Sequence, residues 1–526
     1  MTSKQLIYAA SNTLSRKRLE ALLSDGMEVR VEVADDIERY YLDTFDWRLF
    51  RSGMVLEAEV RGGVCLLTWR EMGSGQVLLS RTVKKLPKLA ADFSNAGMQP
   101  RLKQILGTRL LLAHASLQGC TERLLLLDRD EKTIMRVELR HDKCISPDNP
   151  AYMRLPDALY FFPYRGYEKV FNNRLRQISR HGGLLHLVDD PLVLALDALD
   201  ITPGKYSGIP QFSLHPGQPS IHALSDILLR FLQIMETNIK GARESEDPEF
   251  LHDFLVAVRR IRCFLFTFAA LFPGDKVKLF ESDLQWVEQE ATIIRDLDIY
   301  MGLLQDFESR VDKDHRQALN SLYSFLQSEK QEQLMPMQVA LASPRYLRLT
   351  DSLHSYLHSC RGADELPDAI SIPIEVAASN GIHSIYSELL QAGRGLSVTA
   401  KVEKIHALYQ ICKRLGYHME IFSSLFPGKH MRRLQQAHGK LQQRLNHFRD
   451  VDLQCHRLKD YLSRMTRTQA MREISLEAME QLIDDRKRER KKALSRAMTQ
   501  IELFTRKKMR KRFRAVFALP AKGGGV

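Results

Sequence analysis

Hydrophobic positions follow two rhythms along this chain. Up to about residue 200 they alternate with polar ones in short runs, as in Met54–Val60 (MVLEAEV) and Val64–Trp69 (VCLLTW), and a period of two predicts half-buried strands. Arg123–Leu127 and Ile134–Leu139 flank the polar stretch Asp128–Lys132, the pattern of a hairpin closed by a loop of roughly five or six residues. With helical stretches between them, these runs predict an antiparallel α+β domain. Residues 203–219 then carry four prolines and three glycines without periodicity, which marks a linker. Beyond it apolar residues recur at three- and four-residue spacing and alternation almost vanishes, so the remainder is predicted to be all-α bundles.

The helical part repeats itself. His252 precedes His406 by 154 residues, Leu271-Phe272-Pro273-Gly274 precedes Leu425-Phe426-Pro427-Gly428 by 154, and Arg295-Asp296-Leu297-Asp298 precedes Arg449-Asp450-Val451-Asp452 by 154. Three matches at one offset predict two copies of one helical unit. A break at residues 361–373 separates them.

Each copy has one helix dense in candidate chemistry. Asp247-Pro248-Glu249 is a helix start, with an aspartate cap, a proline in the first turn and an acid near the positive end of the dipole. On the wheel that follows, Phe254, Ala257, Val258, Ile261, Leu265 and Phe268 form the core side, while His252 and Arg259 point together, flanked by Arg260 and Arg262. The wheel from His406 places Leu408, Ile411, Cys412, Leu415, Met419 and Phe422 in the core, and Lys413 with the histidine, Arg414 beside it. Val256, Cys263 and Phe266 share the first cationic face, and Gln410 and Tyr417 the second. Such apolar groups point to neighbouring helices that flank the cations and make a groove; a plain solvated basic face is the alternative. Asp296 and Asp298 project about 200° apart on a helix, as do Asp450 and Asp452, so neither pair chelates a metal. One aspartate of each motif is expected to orient the arginines or the histidine, or to form a structural salt bridge.

Charge sharpens this picture. The 526 residues carry a net charge of +13, which favours polyanionic partners: nucleic acid, an acidic membrane surface or a phosphate polymer. Most of the excess lies in residues 484–514, where fourteen Lys/Arg face four Asp/Glu. Seven scattered cysteines without a CxxC pair predict neither a disulfide framework nor a cysteine zinc site, and fit a cytoplasmic protein. No run is long enough for a membrane span, and the first residues lack a secretory apolar core.

The segment DPEFLHDFLVAVRRIR (Asp247–Arg262), with LFPG and RDLD after it, closely resembles the CHAD family, the conserved-histidine α-helical domain; IHALYQICKRLGYHMEIF (Ile405–Phe422), with LFPG and RDVD, is similar to that family's second half. The resemblance covers most of residues 221–515. It implies two pseudo-symmetric bundles around a basic channel that binds inorganic polyphosphate, a cytoplasmic location with polyphosphate granules as a candidate site, and binding positions at His252, Arg259, Arg260, Arg262, His406, Lys413 and Arg414. Where the family carries arginine, this chain has Leu255, Tyr409 and Gly416, which implies a thinner lining and a larger share for Arg506, Lys507 and Arg510 of the basic C-terminal helix.

The first domain resembles the CYTH family, the triphosphate-tunnel fold, through YYLDTFDWRLFRSGMVLEAEV (Tyr40–Val60), Leu67-Thr68-Trp69-Arg70 and Arg81. That family implies an ExExK strand whose carboxylates hold a catalytic metal. Here the first strand reads Lys4-Gln5-Leu6-Ile7-Tyr8-Ala9, and Glu28, Glu32, Glu57, Glu59 and Glu138 are the candidates for a relocated site; Glu57 and Glu59, on one strand face, are alternatively a solvated face or partners of Arg70 and Arg81. The expected organisation is a degenerate CYTH-like α+β domain (1–202), a linker (203–220), two CHAD bundles (221–365 and 374–515) and a tail (516–526). The expected function is polyphosphate binding by Lys, Arg and protonated His, without catalysis, metal or cofactor. The alternatives are a metal-dependent triphosphatase or polyphosphatase in the first domain, and a nucleic-acid-binding protein acting through the basic C-terminal helix. No membrane partner is expected, and no oligomeric state follows from the sequence.

Overall fold

The computed structural model describes residues 6–10, 16–24, 27–32, 34–93, 99–145, 152–164, 166–180, 184–186, 189–308, 313–362, 372–397, 399–467 and 473–517. Lys4 and Gln5, residues 363–371 of the break and residues 518–526 of the tail lie outside them. The chain divides into two units, Met1–Ser207 and Gly208–Val526. Among the described residues no helix is long and apolar enough to cross a membrane.

In the first unit the chain runs through β1 (Leu6–Ala10), α1 (Arg16–Ser24), β2 (Glu28–Val31), β3 (Asp35–Thr44), α2 (Arg48–Arg51), β4 (Met54–Arg61), β5 (Val64–Glu71), β6 (Val77–Val83) and α3 (Gln99–Leu106). It continues through β7 (Leu111–Leu127), β8 (Thr133–Ile145), β9 (Met153–Arg154), β10 (Ala158–Pro163), α4 (Glu168–Arg180), β11 (Leu184–His186) and α5 (Pro191–Ala198). The strands form one sheet in the order β11-β1-β10-β8-β7-β3-β4-β5-β6, with β2 on β7 and β9 on β8. Alternation sorts the side chains onto two faces. Leu56 and Ala58 of β4 pack in the apolar cluster that includes Leu102 and Leu106 of α3, whereas Glu57 and Glu59 between them turn to the other face. Likewise Leu124, Leu126, Val137 and Leu139 pack with α1 and α4, leaving Arg123, Glu138 and Arg140 on the opposite side. The YYLDT segment ends β3 with a helix-holding aspartate: the Asp43 carboxylate accepts the backbone N–H groups of Leu49 (2.9 Å) and Phe50 (2.8 Å) in α2.

The second unit is all helical: α6 (Ser220–Glu244), α7 (Pro248–Thr267), α8 (Lys276–Glu308), α9 (Lys313–Ala342) and α10 (Pro344–Arg361), then α11 (Ile374–Gly393), α12 (Val402–Ile421), α13 (Gly428–Arg467), α14 (Glu473–Thr505) and α15 (Lys507–Phe517). The 154-residue offset relates α7 to α12 at both ends and the start of α6 to the start of α11. In α7 the Asp247 carboxylate accepts the Glu249 N–H at 2.9 Å with Pro248 in the first turn, and every residue on the expected apolar side of α7 and α12 is buried.

Where the copies meet, residues pair with their own counterparts. Pro219 and Pro373 form an antiparallel bridge, with Ser220 N–H donating to Ile372 O (2.8 Å) and Ile374 N–H to Gln218 O (3.0 Å). Phe264 stacks on His418 at 4.6 Å between ring centres, Phe268 meets Phe422 at 5.8 Å, and Tyr300 Oη donates to Gln454 O at 3.1 Å. Each of these contacts spans 154 residues or nearly so, the signature of a pseudo-twofold axis between the copies. His418 on that axis is fully buried; desolvation pushes its imidazole down to about 4, so it packs as a neutral ring.

Candidate functional site

Two neighbouring cavities open along the seam of α7 and α12. The larger, about 690 Å³, is lined by His252, Arg259, Arg260, Arg295, Tyr409, Lys413, Gly416, Gln442 and Arg449, among others. The smaller, about 380 Å³, is lined by Arg259, Arg262, Phe266, Glu281, Glu288, Lys413 and Arg414, among others. Every residue lining the smaller cavity except Tyr417 lies 154 residues from one that lines the larger. Arg259, Lys413 and Tyr417 line both.

The lining mixes charges. Seven arginines and lysines and six acids line the two cavities together, so what each cation is bonded to matters more than the total. Arg259 Nε donates to Glu288 Oε1 at 2.7 Å and Arg259 Nη2 to Thr292 Oγ1 at 3.1 Å, while Arg262 donates to the other oxygen of Glu288. Arg260, almost fully buried, donates to Glu420 of the other copy at 2.9 Å and lies over the rings of Phe231 and Tyr417; its Nε and Nη1 have no hydrogen-bond partner among the described residues. Arg414 is paired with Glu388. Lys413 differs from all of these: among the described residues it has no carboxylate partner. Its ammonium sits 5.5 Å from the centre of the Tyr409 ring, and burial, reinforced by the charges of Arg259 and Arg449, pushes it down to about 8.

The histidines part company. His252 faces the larger cavity, and burial together with the Arg295 charge holds its imidazole below the usual value. Both effects favour the neutral ring, against the expectation of a protonated histidine. His406 lines neither cavity; its Nε2 lies 3.2 Å from the buried Asp452 carboxylate, which also accepts Arg490 Nε at 2.5 Å. The matching Asp298 instead holds Lys330 at 2.7 Å, so an RDxD aspartate orients the histidine in the second copy only.

Arg506, Lys507 and Arg510 line neither cavity. Arg506 is paired with Glu502 at 2.8 Å and Arg510 Nε donates to Thr505 O at 3.0 Å, while Phe513 and Phe517 anchor α15 in the core. Wheel reasoning missed Arg295 and Arg449, which project from the two RDxD motifs into the larger cavity. It missed Glu288 as well. Reading both copies at the same offset finds the two arginines, whereas Glu288 aligns with Gln442 and is not marked by the repeat. Among the positions without arginine, Leu255 is buried, the Tyr409 hydroxyl accepts Arg449 Nη1 at 3.0 Å, and a Cβ on Gly416 would come within 2.7 Å of His438 Cε1. His438 is itself fixed on Cys412 O at 2.8 Å, so Gly416 is there because this ring crosses its backbone.

The charged face of the first unit is organised differently. Arg140 donates to Glu57 and Glu138, both at 2.9 Å, and lies 3.8 Å over the Tyr160 ring. Arg39 lies 3.4 Å from Glu59 and is bonded to Asp142; Arg123 reaches Asp35 at 2.8 Å and Glu138 at 3.3 Å. Burial would raise the Glu138 carboxyl, but Arg140, Arg136 and Arg123 hold it down to about 2. Arg70 is not a partner of Glu57 or Glu59 but forms a fork with Asp190, one arm at 2.7 Å. Residues of this face line a space of about 690 Å³. Among the described residues no cluster of three His, Cys, Asp or Glu side chains could hold a metal ion, and of the acids lining this space Glu57, Glu59 and Glu138 are each bonded to arginine, while Glu32 stands apart from them. The divalent metal that the CYTH resemblance implies does not fit this donor set.

Duplicated helical bundles with cations at the seam define a class, and comparison with known families puts a name to it. Residues 226–459 match the family model of the CHAD domain. A search of curated proteins finds no match. Among solved structures, the chain is similar to the CHAD domain from the plant Ricinus communis (21% identity over 56% of this chain and 95% of that one, TM-score 0.47) and to PptA from Streptomyces chartreusis (16%, 54% and 99%, TM-score 0.44). It is also similar to a candidate adenylyl cyclase from Hippeastrum with a dominant triphosphatase activity (10%, 39% and 100%, TM-score 0.26).

Proposed function

We propose that the two cavities form one basic groove that binds inorganic polyphosphate. The observation that carries this reading is Lys413: a half-buried ammonium beside Arg259 and Arg449, with no salt bridge among the described residues and only partly offset by the charges of Glu288 and Asp450, is electrostatically unfavourable until an anion arrives. The buried donors of Arg260, Arg295 and Arg449 that lack partners among the described residues point the same way, since a phosphate oxygen accepts charge-assisted bonds from several of them at once. Polyphosphate suits a groove that continues across the pseudo-axis because it repeats one charged unit without bases to accommodate. The test is competition between polyphosphate and RNA for the full chain at two salt concentrations. Polyphosphate is expected to win, with affinity falling by roughly one counterion per phosphate contact as salt rises. Preference for RNA, or affinity indifferent to salt, overturns the reading.

The first unit, in this reading, has no metal-dependent phosphohydrolase activity, because Glu57, Glu59 and Glu138 are already bonded to Arg39, Arg123 and Arg140. Phosphate release from tripolyphosphate by the full chain with Mn²⁺, above the protein-free rate, would show otherwise.

A further inference from the structure

The two halves of the groove match position for position but differ in their acids. Helix α8 gives Glu281 and Glu288, two turns apart on one face, to the smaller cavity. Helix α13 gives Gln435 and Gln442 to the larger one at the corresponding positions. Glutamate and glutamine share a shape, so the exchange alters charge and leaves volume alone. Glu288 is the acid that matters, because its two oxygens hold Arg259 (2.7 Å) and Arg262 together. In the other copy Lys413 stands for Arg259, Gly416 for Arg262 and Gln442 for Glu288. An arginine and a glutamate have been lost together, so the charge of this trio is the same in both halves. Availability is not: Arg259 and Arg262 are engaged, whereas among the described residues Lys413 makes no salt bridge, although the charges of Glu288 and Asp450 reach it.

We propose that Glu288 is a built-in competitor that makes the groove discriminate phosphate chains by length. This rests on the polyphosphate reading and adds a rule of entry. An anion engages Lys413 and its neighbours first, and reaches Arg259 and Arg262 only by displacing the Glu288 carboxylate. A short phosphate gains too little beyond Lys413 to do so. A long chain held at Lys413 presents its next phosphates to Arg259 and Arg262 at high effective concentration, and each brings more charge than one carboxylate.

Calorimetric titration with tripolyphosphate and with long-chain polyphosphate, on the wild type and on Glu288→Gln and Gln442→Glu, tests this. Glu288→Gln is expected to raise tripolyphosphate affinity by roughly tenfold, the effect of freeing two arginines, and to narrow the gap between short and long chains. Gln442→Glu, which sets a carboxylate in the half that holds Lys413, is expected to weaken both ligands. If the wild type binds but Glu288→Gln leaves tripolyphosphate affinity unchanged or lower, the competitor role is wrong and polyphosphate binding stands. If neither protein binds either ligand, both fall; binding by Glu288→Gln alone supports the competitor. Should Glu288→Gln fail to melt cooperatively, Gln442→Glu decides, and undiminished binding there overturns the proposal.

Discussion

The charged face of the sheet and the charged seam of the helices are built from the same side chains to different ends. On the sheet, antiparallel register sets Arg140 and Glu138 on one strand and Glu57 and Glu59 on another, so each arginine finds acids on its own strand or across the face. The result is a closed lattice in which Glu138 is held down to about 2. Along the helices, cations three and four residues apart look across a gap, and their partners come from whichever residue the neighbouring helix presents: Glu288 for Arg259, and for Lys413 none among the described residues. Counting charges does not separate these regions. What separates them is completeness: Arg39, Arg123 and Arg140 each end against acids, whereas Lys413 makes no salt bridge among the described residues.

The contrast can be broken by mutation, and the largest effect belongs to the seam. Replacing Arg259 and Arg260 by glutamate, or Lys413 and Arg414 by glutamate, is expected to reduce polyphosphate affinity by about two orders of magnitude or more, since each pair loses two contacts and adds two repulsions. Filter or fluorescence binding reads this; a neutral second pair in a folded protein would confine binding to the first copy. Next comes the lattice. Arg140→Met leaves Glu57 and Glu138 short of a partner and is expected to cost the first unit about 3–5 kcal/mol, seen as a lowered unfolding midpoint, with polyphosphate affinity unchanged. An unaltered midpoint would mean that the lattice relaxes freely.

The smallest effect is in pH. The fold lowers Lys413 from 10.5 to about 8, so between those values only the unfolded chain holds the proton, and stability contributed by this group rises with pH across that window. Binding moves the other way, because phosphate favours the ammonium. Polyphosphate affinity should fall by a few-fold, roughly, as pH rises through 8, and Lys413→Arg, which stays charged, should flatten the curve. A wild-type curve flat from pH 7 to 9 would take Lys413 out of the contact set.

What could be read from the sequence follows from how local each cause is. Alternation in Met54–Val60 and the Asp247-Pro248 cap are local, and β4 and the start of α7 stand where they suggest. The α+β and all-α division follows from period alone. The duplication was legible because LFPG and RDxD keep one offset. The lattice was not: Glu57 on a strand says only which face it occupies, and its bond to Arg140, 83 residues away, joins β4 to β8 across a sheet that places β3 and β7 between them. His252 and His406 look equivalent on a wheel, yet one faces a cavity and the other Asp452, because α14 supplies Arg490 to the second copy and α9 supplies Lys330 to the first. Burial of His252, which decides its protonation, belongs to the packed seam and to no local pattern.

The bridge at Pro219 and Pro373 bears on the order in which the molecule can be completed. A chain made from its N-terminus finishes α6 and α7 long before Ile372, His418 or Phe422 exists, so Phe264 and Phe268 must wait for partners some 150 residues downstream. During that interval the first bundle carries an unfinished apolar edge, the kind of surface that holding chaperones cover and that seeds aggregation when synthesis stalls.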